Sequence, residues 1–191
     1  MRIVAGKYRS RILKSLRSLP VRPTSDKLRG TLFNILGSAM DGSVFVDVYA
    51  GTGAVGIEAL SRGAAEVIFI EKHEGAASLI RRNLESLGVH DSASILAVDA
   101  LRGLEVLAHR RFGKPLQADF IFLDPPYSLA QDYDRVLEFL DHATLVAPTG
   151  FVIAEHRKSF GLPGRLNQLE CFRVVEQGDA ALSFYRFARA A

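Results

Sequence analysis

The sequence predicts an open, doubly wound α/β sheet, and three observations carry that reading. Short apolar runs, among them Val44-Phe45-Val46, Val67-Ile68-Phe69-Ile70 and Phe120-Ile121-Phe122-Leu123, alternate with stretches patterned at helical spacing. That alternation implies parallel strands with helices on both faces. A glycine turn, Gly51-Thr52-Gly53-Ala54-Val55-Gly56, stands between an apolar strand and a helix-compatible stretch. Beyond residue 154 the pattern changes to residues 171–176, then Gly178-Asp179, then residues 182–187. This last set reads as an antiparallel hairpin closing the sheet.

Taken in order, residues 1–22 look extended or hairpin-like, with Pro20 and Pro23 bounding a turn. Residues 1–24 are therefore read as a basic arm and residues 25–191 as the α/β domain. From Ser25 to about Met40, Leu28, Leu32, Phe33, Ile35 and Leu36 recur at helical spacing, with Ser25 or Thr24 as the cap. Strands follow at 44–48, 67–70, 95–98, 120–123 and 151–154, and the clearest helices are at 76–87 and 133–145. The spacer between Glu155 and Cys171 holds Gly161, Pro163 and Gly164 and reads as a loop. There are no repeats and no low-complexity segment.

At 191 residues the chain is long enough to bury a substantial core without staples. The single cysteine, Cys171, has no internal partner, which favours a reducing, cytoplasmic setting. No apolar run approaches the roughly 18 residues of a membrane span, and no apolar signal segment follows the basic N-terminus. The five histidines (His73, His90, His109, His142 and His156) are scattered without ligand spacing, so no metal site is expected. Glu155-His156 reads as the end of a strand, lining a pocket or, at least as well, capping or lying on the surface. Asn34 and Arg29 could reach a substrate or lie on a solvated helix face. Nothing demands more than a monomer.

Charge is uneven. Residues 1–29 carry nine Lys or Arg against one acid, Asp26, while the remainder carries 15 against 20. A basic arm on an acidic domain suits a phosphate backbone, and Tyr8 adds a stacking surface. The plain alternative is a solvated N-terminal extension; given a site suited to a nucleobase, Lys7, Arg9, Arg11, Lys14 and Arg22 are the candidate RNA contacts.

The most informative segment is Asp124-Pro125-Pro126-Tyr127, at the end of the fourth strand. Prolines fix φ and remove two backbone donors, so nearby carbonyls are left as acceptors. The carboxylate adds another acceptor, and the tyrosine ring a flat face. Together they suit the exocyclic amino group of a nucleobase.

Gly51, Gly53 and Gly56, with Glu71 twenty residues after Gly51, match the dinucleotide fingerprint. Asp47 argues for another ligand, because a pyrophosphate would be repelled by a carboxylate four residues before the first glycine. The ammonium group of S-adenosylmethionine would be held by it. Glu71, ending the second strand, could accept both ribose hydroxyls. Asp99, ending the third, could accept from the adenine amine or simply cap the next helix. In an open α/β sheet, ligands gather at the carboxyl ends of the strands.

The order glycine loop, Glu71, Asp99, Asp-Pro-Pro-Tyr resembles the class I S-adenosylmethionine-dependent methyltransferases of the amino-methylating branch. More narrowly the chain resembles the RsmD family, which methylates the guanine N2 amino group in small-subunit (16S) rRNA. That match rests on Arg22-Pro23-Thr24-Ser25-Asp26 with Leu32-Phe33-Asn34-Ile35-Leu36, and on the run from Gly56 through Ile57-Glu58-Ala59-Leu60-Ser61-Arg62-Gly63 to Ala64. It also rests on the Asp-Pro-Pro-Tyr segment and on Gly178-Asp179-Ala180-Ala181-Leu182-Ser183-Phe184-Tyr185. Gly30, where the family usually carries Glu, and Arg9-Ser10-Arg11, in place of Arg-Gly-Arg, depart from the pattern.

The resemblance implies a Rossmann-like, mostly parallel seven-stranded sheet with the C-terminal antiparallel hairpin. It implies S-adenosylmethionine as cofactor, S-adenosylhomocysteine as product, and 16S rRNA, the 30S subunit or an assembly intermediate as partner. The cofactor set is then Asp47, Ala50, Gly51, Thr52, Gly53, Gly56, Glu71, Lys72, Asp99 and Ala100; the catalytic set is Asp124, Pro125, Pro126 and Tyr127. An in-line displacement is expected, with Asp124 and the Pro125 carbonyl holding the amine protons and Tyr127 stacking on the base. Whether Asp124 or water takes the released proton is open. The rivals are a nicotinamide oxidoreductase, an amino methyltransferase acting on adenine or on a protein glutamine, and a non-catalytic RNA-binding relic.

Overall fold

Ser25 starts the first helix as expected: its hydroxyl accepts from the Leu28 N–H at 3.1 Å, capping α1 (Asp26–Leu36). The helical pattern read to Met40 ends earlier, at Gly37, and continues only as a 3₁₀ turn over Gly37–Met40. The computed structural model describes residues 1–15, 25–109, 116–126 and 131–188. Thr24, Arg22, Pro20, Pro23 and Tyr127 lie outside the described residues.

Two compact units divide the chain, Met1–Asp99 and Ala100–Ala191. The first holds α1, then β1 (Val44–Val48), α2 (Ala54–Ser61), β2 (Glu66–Ile70), α3 (Glu74–Leu87) and β3 (Ala93–Leu96). Its strands pair in parallel, β1 with β2 and β2 with β3, with Asp47 opposite Phe69 and Val48 opposite Ile70. Parallel strands buried on both faces read as continuous apolar runs, and Val67, Ile68, Phe69 and Ile70 are all buried. Each such side chain contributes about 1.5–3 kcal/mol.

In the second unit are α4 (Ala100–Ala108), β4 (Ala118–Leu123), α5 (Asp132–His142), β5 (Val146–Arg157), β6 (Leu169–Gln177) and β7 (Ala180–Phe187). β4 and β5 run parallel, whereas β5 and β6 each pair antiparallel with β7, so the expected C-terminal hairpin is present. The seven strands follow the order β3-β2-β1-β4-β5-β7-β6. This is the doubly wound, mostly parallel sheet that the alternation predicted.

Several boundaries differ from the sequence reading, those of β3, α5 and β5 among them. β3 ends at Leu96 rather than at 98, because its residues are only half-buried at the end of the strand order and offer less apolar surface to hold the pairing. α5 stops at His142 rather than at 145, since the Leu145 carbonyl is drawn into a 2.7 Å bond from the Ala118 N–H. β5 extends well beyond residues 151–154 at both ends.

Candidate active site

The turn after β1 is built from unusual backbone. Tyr49, Gly51 and Gly53 all have positive φ, at 66°, 55° and 78°. The tyrosine value is rare for a side chain of that size and places strain here. Three contacts hold the shape. The Ala50 N–H donates to the Ile70 carbonyl at 3.1 Å, extending the β1–β2 ladder, and the Gly53 N–H closes the turn on the Ala50 carbonyl at 2.7 Å. The Gly51 N–H donates to Glu71 Oε2 at 2.8 Å. Gly53 then caps α2 in the left-handed conformation that glycine tolerates.

Glu71 follows β2 directly and is buried. Its other oxygen, Oε1, accepts from the His73 N–H at 2.8 Å. A carboxylate offers about four lone-pair directions, so two backbone donors leave acceptor capacity for further hydroxyls. Lys72, next in the chain, is exposed.

Asp47 is the penultimate residue of β1 and is also buried. Its Oδ2 accepts from the Gly56 N–H in the first turn of α2 at 2.8 Å. Burial raises its pKa from 3.8 to about 7; the Gly56 bond opposes the rise and the neighbouring Glu71 charge adds to it. Gly56 itself serves packing: a Cβ there would lie 2.3 Å from the Phe69 ring. The third glycine of the fingerprint thus lets α2 sit against β2.

Asp99 is exposed and comes three residues after the end of β3, directly before α4, whose first residue Ala100 is buried. Asp124 follows β4 and is half-buried; Pro125 is buried and Pro126 exposed. Tyr127 falls outside the described residues. Glu155 and His156 do not end a strand, since β5 runs on to Arg157. His156 donates from Nδ1 to the Arg157 carbonyl, leaving Nε2 to accept from the Ser183 hydroxyl on β7, both at 2.8 Å.

Among the arm residues, an antiparallel bridge pairs Arg2 with Ile12, and the Ile3 N–H donates to the Arg11 carbonyl at 3.0 Å. The hairpin lies on α2. Glu58, buried in that helix, accepts from the Val4 and Ala5 N–H groups at 2.8 and 3.0 Å and from Arg62 Nε at 2.9 Å. Ser61 accepts from the Tyr8 N–H at 2.9 Å and donates to the Ala5 carbonyl at 2.6 Å. Lys7, Arg9, Arg11 and Lys14 keep their side chains exposed, with the Lys7 ammonium 5.3 Å from the Tyr8 ring centre. A cavity of about 400 Å³ opens beside the hairpin, lined by Arg2, Arg9, Ser10, Asp26 and Lys27 among others. Arg22 lies outside the described residues.

Arg29 departs from both alternatives the sequence left open: it is fully buried, neither on a solvated face nor exposed to a substrate. It donates to the Arg2 carbonyl at 2.6 Å and to Asp26 at 2.8 Å, and its Nε stands 3.6 Å from Glu58. These bonds anchor α1 without residue 30, and Gly30 has nothing within 4 Å of its Cβ position. Glu58, Ser61 and Asn83 are the site-supporting residues to which sequence reasoning gave no such role. The available signal was a charged or amide side chain inside an apolar helical stripe, as Glu58 between Ile57 and Ala59.

A family model described as Conserved hypothetical protein 95 matches residues 1–186 of the chain. YlbH of Bacillus subtilis (strain 168) is 34% identical over 186 residues, covering 97% of this chain and 98% of YlbH. Ribosomal RNA small subunit methyltransferase D of Escherichia coli (strain K12) is 30% identical over 186 residues, covering 97% and 89%. Among solved structures, the hypothetical protein TTHA0928 of Thermus thermophilus is similar with a TM-score of 0.80 at 28% identity, covering 97% of this chain and 99% of that one. An RNA methyltransferase from Salinibacter ruber, in complex with S-adenosyl-L-homocysteine, shares the fold with a TM-score of 0.63 at 17% identity, covering 88% and 95%.

Proposed function

We propose that this chain, which belongs to the conserved hypothetical protein 95 family and so to the RsmD family that its motifs resemble, methylates the exocyclic N2 amino group of a guanine in 16S rRNA. The donor is S-adenosylmethionine, which supplies a methyl carbon activated by its sulfonium. The observation that carries the reading is the Glu71 carboxylate. It follows β2 directly, fixes the glycine turn through Gly51, and retains acceptor capacity beside backbone that carries no side chain at Gly51. That combination fits a ribose diol and has no equivalent need in a simple packing turn.

In this reading Glu71 orients the ribose, and Asp47 receives the ammonium group on its remaining lone pairs. Lys72, Ala50, Thr52, Asp99 and Ala100 complete the cofactor contacts. Asp124 and the Pro125 carbonyl accept hydrogen bonds from the two N–H groups of the amine, and Tyr127 stacks on the base. As the N–CH3 bond forms the S–CH3 bond breaks, S-adenosylhomocysteine leaves neutral, and the one displaced amine proton passes to Asp124 or to water. A guanine N2 lone pair is delocalised into the ring. Two acceptors on its protons favour a pyramidal nitrogen and stabilise the positive charge that develops there, which is differential binding of the transition state. The remaining acceleration comes from holding nitrogen and methyl carbon at about 3–3.5 Å in line. The base must leave its stack to be reached, and stacking on an aromatic ring is worth about 1–3 kcal/mol.

Support for RNA as the substrate comes from the exposed cations of the arm and from the cavity that Arg2, Arg9 and Lys27 line. The test is incubation with methyl-labelled S-adenosylmethionine and small subunits isolated unmethylated, followed by digestion to nucleosides. Label in N2-methylguanosine from 16S rRNA is expected. Label in N6-methyladenosine or in protein would replace the substrate, and no label in any fraction would remove the proposal.

A further inference from the structure

Asn83, on the buried side of α3, is fully enclosed, and every hydrogen-bonding group of its side chain is engaged. Oδ1 accepts from the Lys14 N–H at 2.9 Å, while Nδ2 donates to the Lys14 carbonyl and to the Thr52 carbonyl, each at 3.2 Å. Lys14 N–H needs an acceptor and the two carbonyls need donors, so only this orientation of the amide serves all three. One partner belongs to the glycine turn and the other to the basic arm.

Neighbouring contacts reinforce both attachments. Ile80, one turn earlier on α3, stands where a Cβ on Gly53 would lie 3.1 Å from its Cγ1, so this helix backs the turn from Thr52 to Gly53. Near the other end, Arg11 Nη2 reaches the Ser86 carbonyl at 3.4 Å, and the Ser86 hydroxyl donates to the Asn83 carbonyl at 2.7 Å. A buried amide with no spare donor loses a bond if either partner moves alone, and an unsatisfied buried group is costly. The arm and the turn therefore share one fixed point.

We propose that Asn83 is a positioning residue that couples occupancy of the glycine turn to the order of the basic arm, so that cofactor and RNA each tighten binding of the other. This rests on the methyltransferase reading of the site. Coupling through a shared element is reciprocal by thermodynamic necessity.

The test uses the full chain, S-adenosylhomocysteine and an RNA fragment of the small subunit. In the wild type, S-adenosylhomocysteine should slow amide exchange at residues 10–15, and RNA should tighten its affinity about fivefold or more. Asn83→Asp keeps the size and the acceptor but has no hydrogen to donate to Thr52; it should lose both effects while still binding S-adenosylhomocysteine. Lys14→Ala removes the charge and leaves the backbone bonds, so it should weaken RNA binding and keep the exchange effect. Bound S-adenosylhomocysteine with unchanged arm exchange in the wild type overturns the coupling alone, and so does coupling that survives in Asn83→Asp. Should that variant fail to fold, the wild-type exchange measurement decides by itself. Calorimetry that detects no S-adenosylhomocysteine binding to the wild type overturns the methyltransferase reading and this proposal with it.

Discussion

Glu71 holds Gly51: its Oε2 takes the Gly51 N–H at 2.8 Å while Oε1 takes the His73 N–H at the same distance. One carboxylate thus joins the end of β2 to the strained turn after β1. Glu71→Ala should weaken S-adenosylmethionine binding by tenfold or more, about 1.4 kcal/mol, because the turn loses its tie and the ribose its acceptor together. Glu71→Gln, which keeps one carbonyl acceptor, should fall between. Calorimetric titration measures both; unchanged affinity in Glu71→Ala would remove Glu71 from the cofactor set.

Asp47 makes a pH prediction with a defined sign. Its folded pKa of about 7 lies above the unfolded value, so folding favours its protonated form. The stability this provides is complete below about pH 4 and drains away as pH rises through about 7. Asp47→Asn keeps an oxygen for the Gly56 N–H and removes the titration. Relative to wild type, the variant should therefore gain stability as pH rises across that window, read from denaturant midpoints at several pH values. A constant difference would mean that Asp47 is ionised throughout. The same variant should bind S-adenosylmethionine more weakly, since an amide holds an ammonium group less well than a carboxylate.

Gly56→Ala separates packing from ligand contact. The added methyl meets the Phe69 ring at 2.3 Å, so β2 or α2 must shift. Overpacking of this kind costs about 1–3 kcal/mol. Thermal or denaturant unfolding should show the loss; wild-type stability together with weakened cofactor binding would make Gly56 a ligand-approach glycine after all.

Replacing Arg9, Arg11 and Lys14 together with Ala should weaken RNA binding and flatten its dependence on salt, by a slope of up to about 0.7–0.9 for each phosphate that is no longer neutralised. Cofactor affinity in the absence of RNA should stay near wild type, because the backbone bonds to Asn83 and Ser61 do not need these side chains. A salt slope equal to wild type would leave the arm without an RNA role.

Local and periodic features were legible in the sequence. Ser25 as cap, the apolar run of β2, the glycine turn and the β6–β7 hairpin all follow from chemistry within a few residues. The supports of the site were not. Glu58 meets Val4 across 54 positions and Asn83 meets Lys14 across 69, and no pattern in either neighbourhood announces the partner. Arg29 escapes the sequence for the same reason: a cation on a helix reads as solvated unless the hairpin that buries it is known. Asp47 stands out in the sequence as an acid near the turn, but its bond to the Gly56 N–H and its raised pKa depend on how α2 seats against β1.

Asp124→Ala decides the chemistry most directly when two readings are taken on one preparation: S-adenosylmethionine affinity by calorimetry and single-turnover methyl transfer to unmethylated small subunits. The account predicts cofactor affinity close to wild type and methyl transfer reduced at least about 100-fold, the scale of losing a transition-state acceptor. Affinity that collapses together with activity would make Asp124 a cofactor ligand, and transfer that persists near the wild-type rate would contradict the mechanism.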